Sequence, residues 1–118
     1  MIELTEREEF IIWRQREGLS QEEVGLELGC SQGFVSQWES GKRPLPRYAV
    51  GHMPHTKNVT EGEELMIKMV RCNLNRAAAA KALKVDYYKL LAWFRDEKVI
   101  PKEVWKEVDE MVDFWEKK

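Results

Sequence analysis

The chain repeats itself at an interval of 55 residues, and this repeat constrains the fold more than any other feature of the sequence. Placed against itself at that offset without gaps, the sequence gives ten identities over residues 5–50. The identical pairs are Thr5/Thr60, Glu6/Glu61, Glu8/Glu63, Glu9/Glu64, Ile12/Ile67, Arg16/Arg71, Leu19/Leu74, Leu28/Leu83, Trp38/Trp93 and Pro46/Pro101. A fixed internal period is typical of chains built from copies of one supersecondary unit. The sequence therefore predicts two copies of one unit, over residues 1–47 and 60–101.

Each copy carries the apolar spacing and the end signals of three short helices. The predicted N-caps of the first copy are Thr5, Ser20 and Ser31, and its predicted stops are Gly18, Gly29 and Gly41. In the second copy the helices follow Thr60, Asn75 and Asp86. Phe34, Val35 and Trp38 recur at helical spacing, which predicts that they form the core face of the third helix. The predicted class is all-α.

Two segments lie outside the repeat. Residues 48–59 have no clear period and are predicted to be a linker. Its His52 and His55 lack further ligands at suitable spacing, so neither a metal nor another cofactor is expected.

Residues 102–118 are predicted to form a C-terminal helix with one apolar stripe, comprising Val104, Val108, Met111, Val112 and Trp115. This helix is expected to pack on the second copy and complete its core. The alternative is a homodimer contact through the same helix.

Composition narrows the function class. No window is apolar enough to cross a membrane, and no secretory signal is present, so a cytoplasmic location is expected. No nucleophile and base arrangement or glycine-rich phosphate loop stands out, so no enzymatic activity is expected.

Cys30 and Cys72 are interpreted as packing residues rather than a disulfide.

Charge is segregated along the chain. The net charge is −2, yet residues 71–98 hold seven Lys or Arg against three Asp or Glu, a local net charge of +4. Residues 39–47 have a local net charge of +2. Because phosphate binding depends on clustered cations, this pattern favours a basic face on an acidic body.

Residues 18–44 read GLSQEEVGLELGCSQGFVSQWESGKRP. The Leu-Ser-Gln-Glu-Glu opening, the glycine in the turn and the Trp-Glu-Ser-Gly-Lys-Arg-Pro exit resemble the Xre-type helix-turn-helix family of phage repressors and Cro proteins. Gly25 stands where that family usually has alanine, and either residue is expected to fit. Residues 75–88 are similar to Cro-like and Fis-type units, with Lys84 in place of the usual turn glycine. The resemblance implies tandem helix-turn-helix units.

For the first unit, the resemblance implies that helix 31–39 enters the major groove of double-stranded DNA. Gln21 would contact a phosphate and could brace its neighbour in the groove, and Gln32 would read a base. The outward face of the helix is expected to hold Gln32, Gly33, Ser36 and Gln37, and the residues expected to grip phosphates are Ser40, Lys42 and Arg43.

For the second unit, the corresponding outward residues are Arg76, Tyr87, Tyr88, Leu91 and Ala92, with Lys89 and Arg95 beside them. Because few of them can read base edges, this unit is expected to add affinity more than sequence discrimination. The implied function is a transcriptional regulator, and a chain with two units can span two adjacent sites as a monomer. The alternative is an antitoxin or a phage-encoded factor that binds a host protein partner through the same scaffold.

Overall fold

A computed structural model describes residues 3–52 and 58–117, and all regular structure within these ranges is helical. The helices are α1 (Glu6–Glu17), α2 (Gln21–Leu28), α3 (Gln32–Ser40), α4 (Arg47–His52), α5 (Glu61–Arg71), α6 (Arg76–Leu83), α7 (Tyr87–Phe94) and α8 (Lys102–Glu116). The chain divides into two units, with the boundary between Asn58 and Val59. The prediction of an all-α fold is confirmed. None of the described helices is long and apolar enough to cross a membrane.

Local hydrogen bonds set the helix starts at the predicted residues. Thr5 Oγ1 accepts from the Glu8 backbone N–H at 3.2 Å, while Glu8 Oε1 accepts from the Thr5 N–H at 3.0 Å. Thr60 and Glu63 form the same reciprocal pair at 3.1 and 3.0 Å. Each pair satisfies two backbone donors that a helix start leaves without intrahelical partners.

The turns of the two units also correspond at the 55-residue offset. Gly18, Gly29 and Gly41 have left-handed backbone conformations, with φ of 69°, 74° and 83°. The residues 55 positions later are Asn73, Lys84 and Asp96, with φ of 58°, 57° and 60°. The second unit thus places side chains at turns where only glycine avoids a steric cost.

The core of the first unit consists of Phe10, Val24, Val35, Trp38 and Ala49. Ala49 lies on α4, a helix within the segment predicted to be a linker. Here the structure differs from the prediction, because Ala49 is completely buried and holds α4 in the unit. Residues 53–57 of that segment, and with them His55, lie outside the described residues.

The core of the second unit combines α5, α6, α7 and α8. Leu65, Leu90 and Trp93 are buried together with Val108 and Val112 of α8, so the prediction that α8 completes this core is confirmed. Lys68 of α5 also donates to Asp109 of α8 at 2.9 Å. Trp115 was predicted to lie on the same apolar stripe, but it is 39% exposed because the last turn of α8 extends past the core.

The two cysteines are free thiols that contribute to packing, as predicted. Cys72 is buried in the second core, and Cys30 is half-buried against the first. Burial raises the pKa of both thiols, and the nearby Glu116 carboxylate raises the pKa of Cys72 further. Both groups are therefore held in the neutral form.

Candidate nucleic-acid interface

The turn between α2 and α3 of the first unit passes close to a glycine of α2. A Cβ atom on Gly25 would lie 2.7 Å from the carbonyl oxygen of Cys30, which is closer than van der Waals contact allows. The expectation that alanine is also small enough at this position is therefore wrong for this backbone. Ala80 stands 55 residues later and is 5% exposed, so the second unit accommodates a methyl group there.

A buried ion pair fixes the orientation of α3. Glu39, in its last turn, accepts hydrogen bonds from Nε and Nη2 of Arg14 at 2.6 and 2.9 Å. Gln21 Nε2 donates to the same carboxylate at 3.1 Å. One side chain of α3 is thus bonded to α1 and to the first residue of α2. The Gln21 amide braces α3 directly.

The exposed surface of α3 begins at its N-terminus. Gln32, Gly33 and Ser36 are exposed, as predicted from their spacing. A Cβ atom at Gly33 would meet only Ser31 Oγ, at 3.6 Å, so the space above this backbone is open. Glu39 is the one carboxylate in α3, and it is 8% exposed. The outward surface of the helix therefore carries no acid.

The sequence predicted that Phe34 lies in the core, but the structure places it on the exposed surface of α3. Its side chain is 41% exposed, because Val35 and Trp38 already fill the buried face. The Arg43 guanidinium lies over the ring, with Cζ 4.8 Å from its centroid. Arg43 Nε also donates to Gln37 Oε1. The structure thus brings together Gln37 and Arg43, which were predicted to contact DNA, and Phe34, which was not.

The remaining predicted residues of this unit lie just beyond α3. Lys42 is exposed in the turn that follows Gly41. Ser40 is exposed, and its hydroxyl donates to the Gln37 carbonyl oxygen at 3.3 Å. Both residues are close in sequence to the Arg43 cluster and are open to a ligand.

Residues 9–51 match the family model of a helix-turn-helix domain. Over these residues the first unit is similar to a helix-turn-helix domain. This match supports a DNA-binding regulator in general, and α2 and α3 are the pair of helices that corresponds to the motif. Comparison with curated proteins and with solved structures gives no match to the chain.

The second unit presents aromatic and basic side chains at positions that lie 55 residues after the predicted DNA-contacting residues of the first unit. Tyr87 and Tyr88 are 38% and 76% exposed, and their rings meet edge to face at 5.6 Å between centroids. Lys89 Nζ lies 5.6 Å from the Trp93 ring centroid. Arg95 is exposed, whereas Arg76 is half-buried at the start of α6.

The sequence did not predict the ion pair that organises the first unit. Arg14 and Glu39 are separated by 25 positions, and no local pattern connects them. One feature of the sequence could have indicated this ion pair. Glu39 is a carboxylate on a helix whose other residues are apolar, amide, hydroxyl or glycine residues. No group of three or more metal-ligating His, Cys, Asp or Glu residues occurs within residues 3–52 and 58–117.

Proposed function

We propose that this chain is a cytoplasmic, sequence-specific regulator of transcription, of the phage-repressor type, that binds double-stranded DNA. The exposed surface of α3 carries the proposal. It presents Gln32, Gly33 and Ser36 without a carboxylate, while the single acid of the helix is buried against Arg14. Such a helix can approach phosphates and base edges without electrostatic repulsion.

Gln32 is the proposed adenine-reading residue. It is the first residue of α3, directly after the N-cap Ser31, where recognition helices contact base edges. An amide side chain can donate to N7 of adenine and accept from its N6 amino group at the same time. Gly33 beside it leaves the backbone uncovered, which permits close approach of the DNA.

The second unit is proposed to be a second helix-turn-helix that strengthens binding. Its N-caps and left-handed turns stand at the 55-residue offset, which supports a common architecture. Lys89, Arg95 and Arg76 supply charge for phosphates, and the hydroxyls of Tyr87 and Tyr88 can donate to phosphate oxygens. This surface adds affinity for DNA of any sequence.

The deciding experiment is selection of bound sequences from random duplex DNA at physiological salt, followed by titration of Gln32→Ala. We expect a defined consensus for the parent protein, and a roughly 5- to 150-fold loss of affinity for the preferred site in the variant. Binding to random duplex should change little. Trp38→Ala is the packing control, because the loss of a core side chain should weaken binding to every sequence.

The alternative is a protein-binding scaffold, and α2 provides the observation that favours it. Glu22, Glu23 and Glu27 are all exposed there and would repel a phosphate backbone. If selection yields no consensus and affinity for duplex stays at the non-specific level, the DNA-reading function is wrong. The antitoxin or host-factor function would then replace it.

A further inference from the structure

We infer that Arg43 is a guanine-reading residue of the helix-turn-helix domain, held in place on the recognition helix by Phe34 and Gln37. This inference rests on the proposed function and adds a specific base to it. Arg43 follows α3 in sequence, where a phosphate contact would be the default assignment. The structure places its guanidinium back over α3 instead.

Two contacts hold the guanidinium in place. The Phe34 ring lies beneath it, with 4.8 Å between Cζ and the ring centroid, which is within the range of cation–π attraction. Gln37 Oε1 accepts from Nε and so restricts rotation of the guanidinium. The Arg43 backbone N–H also donates to the Gln37 carbonyl oxygen at 3.2 Å, which anchors the main chain beside the same helical turn.

The orientation leaves a specific edge for a ligand. The bond to Gln37 uses Nε, so the edge formed by Nη1 and Nη2 is the part that can bind DNA. Two parallel N–H donors match the O6 and N7 acceptors of guanine in the major groove. A phosphate contact would not require an oriented guanidinium, because a long arginine side chain can reach a phosphate from many rotamers.

Phe34 and Gln37 are positioning residues in this arrangement. They lie three positions apart on α3, so their side chains are neighbours on one helical face. Phe34 is 41% exposed although α3 has a well-filled core face, and support of Arg43 accounts for an aromatic ring in that position. Gln37 acts on DNA through Arg43 rather than by reading a base itself.

The test uses the full chain and the duplex selected for the parent protein, with each guanine replaced in turn by 7-deazaguanine. This base lacks the N7 acceptor but pairs normally. At one guanine we expect the parent to lose about 5-fold in affinity, the lower end of the range for a complete bidentate contact, because the O6 acceptor is retained. In Arg43→Ala the same replacement should have no effect, because the donor has already been removed. Lys42→Ala is the matched control and should retain the full sensitivity to 7-deazaguanine.

The positioning role is tested by the ratio of affinities for guanine and adenine at that base pair. Phe34→Leu and Gln37→Ala should lower this ratio while thermal unfolding is unchanged. Phe34→Tyr keeps an aromatic face and should preserve it. A purely structural role for these residues would change the unfolding temperature and leave the ratio intact, which would overturn the positioning argument.

Two further outcomes separate the inference from the proposed function. If the parent selects a consensus but Arg43→Ala weakens binding to all duplexes equally, Arg43 is a phosphate contact. The guanine assignment is then wrong, while the regulatory function stands. If the parent selects no consensus at all, both are wrong.

Discussion

Replacing Glu39 with leucine should lower the free energy of unfolding of the first unit by about 3 kcal/mol, the lower end of the range for breaking a buried ion pair. The Glu39 and Arg14 side chains are 10% and 12% exposed, so solvent screens the pair only slightly. The substitution removes two charge-assisted bonds from Arg14 and one from Gln21. Arg14 retains its bond to the Leu19 carbonyl oxygen at 2.9 Å, which places the loss at the lower end.

Urea denaturation of the full chain measures this loss, and hydrogen exchange of the α3 amides assigns it to the first unit. The double variant Arg14→Leu/Glu39→Leu should be more stable than Glu39→Leu alone, because no buried charge then lacks its partner. Glu64→Leu is the control. Its carboxylate lies 3.4 Å from Lys68 in an i,i+4 pair, and its removal should cost about 0.5 kcal/mol.

The reasoning is refuted if Glu39→Leu costs no more than Glu64→Leu. It is also refuted if the double variant loses the sum of the two single losses, because additivity would mean that Arg14 and Glu39 do not stabilise each other.

Three further predictions concern the second unit. Gly62→Ala should lower the free energy of unfolding by about 1–3 kcal/mol in urea denaturation, because the new Cβ would lie 2.5 Å from the Phe94 carbonyl oxygen. Lys84→Gly should raise the free energy of unfolding by about 1 kcal/mol, and with it the unfolding temperature, because glycine adopts the observed φ of 57° without steric cost. Arg76→Ala combined with Lys89→Ala should weaken binding to all duplexes. It should also reduce the slope of log affinity against log salt by about 2, as measured by fluorescence anisotropy.

Each of these has a contradicting result. A Gly62→Ala protein as stable as the parent would mean that α5 and α7 can separate at no cost. An unchanged or lower unfolding temperature for Lys84→Gly would show that the lysine side chain makes compensating contacts. An unchanged salt slope would mean that the second unit does not contact DNA.

The positions of most helices could be predicted from the sequence because their causes are local. Thr5 and Glu8 bond within a single helical turn, and Gly18, Gly29 and Gly41 end helices through their own backbone conformation. The repeat then extended the same argument to the second unit. The exposed positions Gln32 and Ser36 followed from the period of α3, which requires no knowledge of what packs on it.

The features that were missed depend on tertiary contacts. Periodicity placed Phe34 beside Val35 in the core, and only the packed structure shows that the core is filled without it. The sequence did not reveal that a side chain at position 25 would collide with the Cys30 carbonyl oxygen, which only the folded turn brings close. Ala49 lies in a short segment whose burial depends on the surface formed by the preceding helices.

Gly33 affects how the outward surface of α3 can evolve by mutation. The fold places no demand on that residue, since a side chain there would meet only Ser31 Oγ at ordinary contact distance. Most residues would also stabilise the helix relative to glycine, alanine by up to about 1 kcal/mol. Single mutations at position 33 can therefore add new chemistry to the outward surface of α3 while the domain stays folded. New binding preferences are accessible from this chain without an unstable intermediate.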